Sequence, residues 1–83
     1  AASTLPRAMD AAIATIESGG DVADALSGLQ TALTDAGFSS VDYAVLADAM
    51  SLKPLGALTG ASARLLGAAR IGGTRLIDNK AVG

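Results

Sequence analysis

Apolar residues recur at helical spacing twice before the chain changes period. From Ser3 to Ser18, the residues Leu5, Met9, Ala12, Ile13 and Ile16 follow one another at steps of three and four and share one helical face, with Arg7, Asp10 and Glu17 largely outside it. This predicts a helix over about 4–18, ended by Gly19-Gly20, since glycine takes the φ > 0 conformations that stop a helix. Val22, Ala25, Leu26, Leu29, Ala32 and Leu33 form a second stripe over about 22–36, with Asp21 placed to cap it, Asp24 in its first turn and Gly37 after its end. So short a link returns the chain antiparallel, so a helical hairpin is expected.

From Val41 the period falls to two. Val41, Tyr43, Val45 and Ala47 alternate with Asp42, Ala44, Leu46 and Asp48, which predicts a strand over about 41–48 with its second face partly covered. Met50 to Gly60 reads as a loop punctuated by Pro54, Gly56 and Gly60. The segments 63–71 and 74–79 flank Gly72-Gly73, which suits a tight type I′ turn, so a β-hairpin is predicted there. The Ala and Leu content of 61–71 would also support a helix. The hairpin reading gives one α+β domain over 1–83, a helical hairpin packed on a small antiparallel three-stranded sheet as a two-layer sandwich.

Composition narrows what such a domain does. Of 42 hydrophobic residues 19 are Ala, so the core is thin for 83 residues and no Cys or His is present to staple it through a disulfide or zinc. Cys absence agrees with a reducing, cytoplasmic compartment. The longest uncharged runs are the ten residues of 25–34 and 54–63, short of the ~20 apolar residues that span a bilayer, so no membrane partner is expected. The chain opens without Met or a signal-peptide pattern, which predicts a start within a longer protein or after processing. A net charge of −2 and two aromatics argue against nucleic acid.

Candidate chemistry is sparse. The glycines at 56, 60, 67, 72 and 73 fit neither GxGxxG nor GxxxxGK[ST]. With neither His nor Cys, a nucleophilic Ser would need Lys53 or Lys80, and no Ser-x-x-Lys motif exists. Asp42 and Asp48 are six residues apart on one strand, about 20 Å at ~3.3 Å per residue, too far to act as a carboxylate pair. Arg70 and Arg75 remain. A two-residue Gly72-Gly73 turn sets them opposite each other on one sheet face, where like charges repel, so either Asp42, Asp48 or Asp78 compensates or an anion binds. No catalytic, cofactor-binding or metal-binding residue is expected, and Arg70 and Arg75 are the candidates for an anion-binding or active-site-facing role.

Two stretches carry a resemblance. The run from Val41 to Leu55, VDYAVLADAMSLKPL, is similar to the V/I-D-Y … T/S-L-x-P-L pattern of pantothenate synthetases, and 63–79, ARLLGAARIGGTRLIDN, resembles their R-L-L-x-A-A-R-x-G-x-T-R-L-I/L-D-N signature. The resemblance covers about 41–79. The sequence departs from it at Gly67, where a larger apolar residue is usual, at Gly73, and at 80–82, changes expected to loosen the hairpin. It implies the C-terminal lid domain of a two-domain ligase that condenses pantoate with β-alanine through a pantoyl-adenylate, using ATP with magnesium and releasing AMP and pyrophosphate. It also implies an N-terminal nucleotide-binding domain as partner, a homodimeric full-length enzyme, and ATP-binding HxGH and Ser-Ser-Arg-Asn elements outside this chain. The fragment alone is then expected to be inactive, binding no cofactor itself, with self-association open to it once its partner is removed. The competing expectation is a free-standing protein-binding or dimerisation module.

Overall fold

A computed structural model describes residues 3–60 and 62–83. Helix α1 spans Thr4–Glu17 and α2 spans Val22–Asp35, followed by strands β1 (Ser40–Asp48), β2 (Ala63–Ile71) and β3 (Thr74–Val82). Helix α1 buries the five residues of its stripe, Leu5, Met9, Ala12, Ile13 and Ile16. Its first turn contains Pro6, which costs little where a backbone N–H has no intrahelical acceptor. Helix α2 is capped as its sequence suggests: the Asp21 carboxylate accepts a hydrogen bond from the Asp24 amide at 3.0 Å. Phe38, 4% exposed, closes the far end, with its amide donating to the Leu33 carbonyl at 3.0 Å.

The strands form one antiparallel sheet in the order β1-β2-β3. Both helices cover the same face of it, α1 packing on β2 and β3 and α2 on β1. Leu5, Met9, Leu33, Leu46 and Leu65 are its largest fully buried side chains, each contributing about 1.5–3 kcal/mol through burial. The competing helix over 61–71 does not form among the described residues, and Ala61 lies outside them. Tertiary pairing overrides propensity here, because β2 is the central strand and its odd positions, Ala63, Leu65, Ala69 and Ile71, all pack into the core. Gly67 occupies the middle of that row, where an added Cβ would stand 3.1 Å from Met9 Sδ.

Two features depart from the sequence-based expectation. In β1, Val41 pairs with Ala69 and Tyr43 with Ala68, leaving Asp42 as the extra residue of a β-bulge. The bulge shifts the alternation, so Val41, Ala44 and Leu46 join the core while Tyr43, Val45 and Ala47 turn to the opposite face. The expected stripe of Val41, Tyr43, Val45 and Ala47 is therefore split. At the other end, β3 continues beyond residue 79 to Val82, which is 3% exposed. Lys80 does not break the strand because its ammonium reaches Asp10 on α1 at 3.0 Å, and the Gly83 amide donates to Glu17 at 2.9 Å. The departures at 80–82 thus tie the hairpin to α1 rather than loosen it.

Candidate functional site

Among the described residues, both helices pack on one face of the sheet and no helix or strand packs on the other. Register and alternation place Tyr43, Val45 and Ala47 of β1, Arg64, Leu66, Ala68 and Arg70 of β2, and Arg75, Ile77 and Asn79 of β3 on this face. Tyr43, Ala68 and Ile77 lie in one row across the three strands. Ala68 is fully buried beneath its neighbours whereas Tyr43 is 40% and Ile77 60% exposed, so the row is a shallow apolar channel with a methyl floor.

One end of the channel is charged. Gly72 and Gly73 take φ of +55° and +85°, the left-handed pair a type I′ turn requires, and this turn pairs Arg70 with Arg75 as the sequence indicates. Of the three carboxylates that could offset their repulsion, the structure selects Asp42. The bulge leaves its side chain free to reach across β2, where Oδ2 accepts from Arg75 Nε at 2.7 Å and stands 3.4 Å from Arg70 Nε. Hydrogen bonding to Arg75, with the charge of Arg70 behind it, holds the Asp42 carboxyl below the usual carboxylate value. Asp78 instead accepts a bond from the Asn79 amide. Beyond the apolar row, Arg64 Nε donates to the Asn79 side-chain carbonyl.

Asp48 has a different duty. Its Oδ1 accepts from the amides of Met50 and Ser51, both at 2.9 Å, and these bonds lower its pKa. They fix a tight turn after β1 in which Leu52 takes φ +61°, a conformation that costs a bulky residue on the order of 1–3 kcal/mol. The chain then returns along the free edge of β1, with the Leu55 amide donating to the Leu46 carbonyl at 2.8 Å and a bridge between Ala47 and Pro54. The segment expected as plain loop therefore begins with a short fourth edge.

A depression of about 400 Å³ between the α1–α2 turn and Gly56–Leu58 is bordered by Glu17 and Asp21 and by no basic side chain. Among the described residues, no three His, Cys, Asp or Glu side chains group to hold a metal ion, and no helix is long and apolar enough to cross a membrane.

The two segments that carry the motif resemblance thus form β1, its following turn and the β2–β3 hairpin. Comparison with known proteins extends the likeness to the whole chain. The model of the pantoate-beta-alanine ligase family matches residues 1–81. The chain belongs to that family. Its relatives include the pantothenate synthetases of Rhizorhabdus wittichii, 57% identical over 98% of this chain, and Novosphingobium aromaticivorans, 54% identical over 99%. The crystal structure of pantothenate synthetase from Thermus thermophilus superposes with a TM-score of 0.78 at 36% identity over 92% of the chain. The chain spans 28% and 29% of the two curated relatives and 27% of the solved one, so it corresponds to a little over a quarter of a pantoate-beta-alanine ligase.

Arg70 and Arg75 were the residues singled out from sequence, and the structure brings them together with Asp42. Tyr43, Ile77 and Arg64 were not singled out. Period-two alternation through 63–71 and 74–79 carried the signal for Ile77 and Arg64, but Tyr43 joins their face only because of the bulge.

Proposed function

We propose that this chain is the C-terminal lid domain of a two-domain, ATP-dependent pantoate–β-alanine ligase. The observation that carries the reading is the match of the whole chain to a quarter of pantothenate synthetases. In the reaction proposed for the full-length protein, a pantoate carboxylate oxygen attacks the α-phosphorus of magnesium-bound ATP and pyrophosphate leaves. The β-alanine amine then attacks the acyl carbon of the adenylate, loses a proton, and AMP departs with the acyl C–O bond's electron pair.

The acyl-adenylate is a mixed anhydride that water hydrolyses, so the chemistry rewards a domain that closes over it and excludes solvent. The ATP-binding elements belong to the N-terminal nucleotide-binding domain, the partner this domain covers, and the full-length enzyme works as a cytoplasmic homodimer. Deleting the 83 residues from the full-length enzyme tests the lid role: AMP release without pantothenate should rise and ligation should fall. Unchanged AMP leakage and turnover after the deletion would refute it.

A further inference from the structure

Charge on this domain is segregated by face. The outer sheet face carries Arg64, Arg70 and Arg75 against Asp42 alone, a surplus of two positive charges. Of the other charged side chains, Asp48, Asp78 and Lys80 take the opposite sheet face by alternation, Arg7, Asp10, Glu17, Asp21, Asp24 and Asp35 lie on or beside the helices that cover it, and Lys53 stands in the turn after β1, so the rest of the chain carries a deficit of four. A chain that is acidic overall therefore presents one basic surface, and an apolar channel crosses it between the arginines.

The arginines are also incompletely used. Both guanidiniums address the same oxygen of Asp42 through Nε, and among the described residues none of their Nη atoms makes a hydrogen bond. Two planar forks converging on one shared carboxylate keep a net positive charge and unspent donors in the geometry that grips phosphate oxygens. Arg70 and Arg75 remain 55% and 41% exposed, whereas Asp42 is 25% exposed beside them, so an incoming anion meets the arginines before the carboxylate.

We propose that the outer sheet face is a phosphate-binding surface, in which Arg70 and Arg75 grip the phosphate groups of the nucleotide or of the pyrophosphate it releases while Tyr43, Ala68 and Ile77 give the less polar part of the ligand an apolar bed. This inference rests on the lid reading, because it needs the domain to close over the nucleotide. Asp42 then has a defined role: it holds the two forks together in the open domain and competes with the phosphate for them.

That competition supplies a test with opposite signs. In the full-length protein, Arg70→Gln with Arg75→Gln should raise the KM for magnesium-ATP, or the inhibition constant of inorganic pyrophosphate, by about tenfold or more, as expected for losing charge-assisted bonds. Whichever constant moves names the source of the phosphate. Asp42→Asn removes the competitor and should lower the same constant about threefold or more, as expected for one solvent-exposed ion pair. If Asp42→Asn and the arginine pair shift that constant in the same direction, or neither shifts it, the proposal is wrong and the cluster only holds the hairpin. If the arginine substitutions raise AMP leakage while leaving both constants unchanged, the face docks on an acidic protein surface and the phosphate role is likewise overturned. Circular dichroism of each variant separates these outcomes from unfolding, and Arg70→Lys, which keeps the charge but loses the fork, should give an intermediate constant. Failure of the lid reading is distinct, since it shows as unchanged leakage on deletion of the whole domain.

Discussion

Gly67 sits in the core-facing row of β2, and the contact that fills the space beside it predicts what a side chain there would do. An alanine Cβ would meet Met9 Sδ at 3.1 Å, with Leu5 Cδ1 and Met9 Cε in ordinary contact at 3.6 Å. Replacing a strand glycine by alanine recovers roughly 0.5–1 kcal/mol of backbone entropy, and burying one methyl adds about 0.8 kcal/mol. Against this, Met9 must retreat by a few tenths of an ångström. Its thioether chain is flexible, but the residue is fully buried, so an off-rotamer adjustment of about 0.5–1.5 kcal/mol is expected.

The balance for Gly67→Ala is therefore between neutral and about 1 kcal/mol stabilising, a rise of up to roughly 4–8 °C in Tm for a domain of this size. Gly67→Val pushes two further carbons towards the same sulfur and should cost about 1–3 kcal/mol. Combining Gly67→Val with Met9→Ala, which alone should cost about 2–5 kcal/mol, ought to recover part of that loss through a coupling of about 1 kcal/mol or more. Thermal unfolding of the wild type and these four variants by circular dichroism measures the cycle and the comparison of Gly67→Val with Gly67→Ala. If Gly67→Val is as stable as Gly67→Ala, or the double variant is additive within about 0.5 kcal/mol, Met9 does not occupy the space that Gly67 leaves.

Asp21→Ala removes the bond to the Asp24 amide and should lower stability by about 1 kcal/mol, whereas Asp21→Asn keeps an acceptor and most of the cap; urea unfolding midpoints distinguish them. The carboxyls of Asp42 and Asp48 are depressed in the folded state from an ordinary value of 3.8. Their stabilisation is accordingly complete above that value and is lost as pH falls through the lower folded values; urea midpoints followed down from pH 6 should drop there, less steeply in Asp42→Asn and Asp48→Asn.

The helices were legible because each wears an apolar stripe on one face and packs into the core with it, although in α2 only Val22, Ala25, Leu29 and Leu33 of the expected stripe are buried, with Leu26 half-buried and Ala32 exposed. The hairpin was legible for a local reason too: Gly72-Gly73 can make the turn that pairs Arg70 with Arg75, and the register then follows by counting. What escaped the sequence depends on contacts between distant segments. Lys80 looks like the end of an apolar strand until Asp10 is brought beneath it, 70 residues earlier in the chain. The choice of Asp42 over Asp48 and Asp78 as the partner of the arginines was equally invisible, since all three lie on or beside strands and only one is freed by a bulge.

The bulge links the fold to its basic face. In an unbroken β1, Asp42 would share a face with Ala44 and Leu46, and burying those two against the helices would drag a carboxylate into the apolar layer with them, at heavy desolvation cost. Turning that face outward instead would expose Leu46, which is fully buried here, and bring Tyr43 inward. One extra residue resolves the conflict. It lets Val41, Ala44 and Leu46 all reach the core, sends Tyr43 to the outer face, and leaves Asp42 at the point where β1 passes the arginine pair. The mixed polarity of the even positions of 41–48, acidic at Asp42 and Asp48 and apolar between them, is thus the sequence signature of a strand that changes phase, and the residue at which it changes holds the two arginines together.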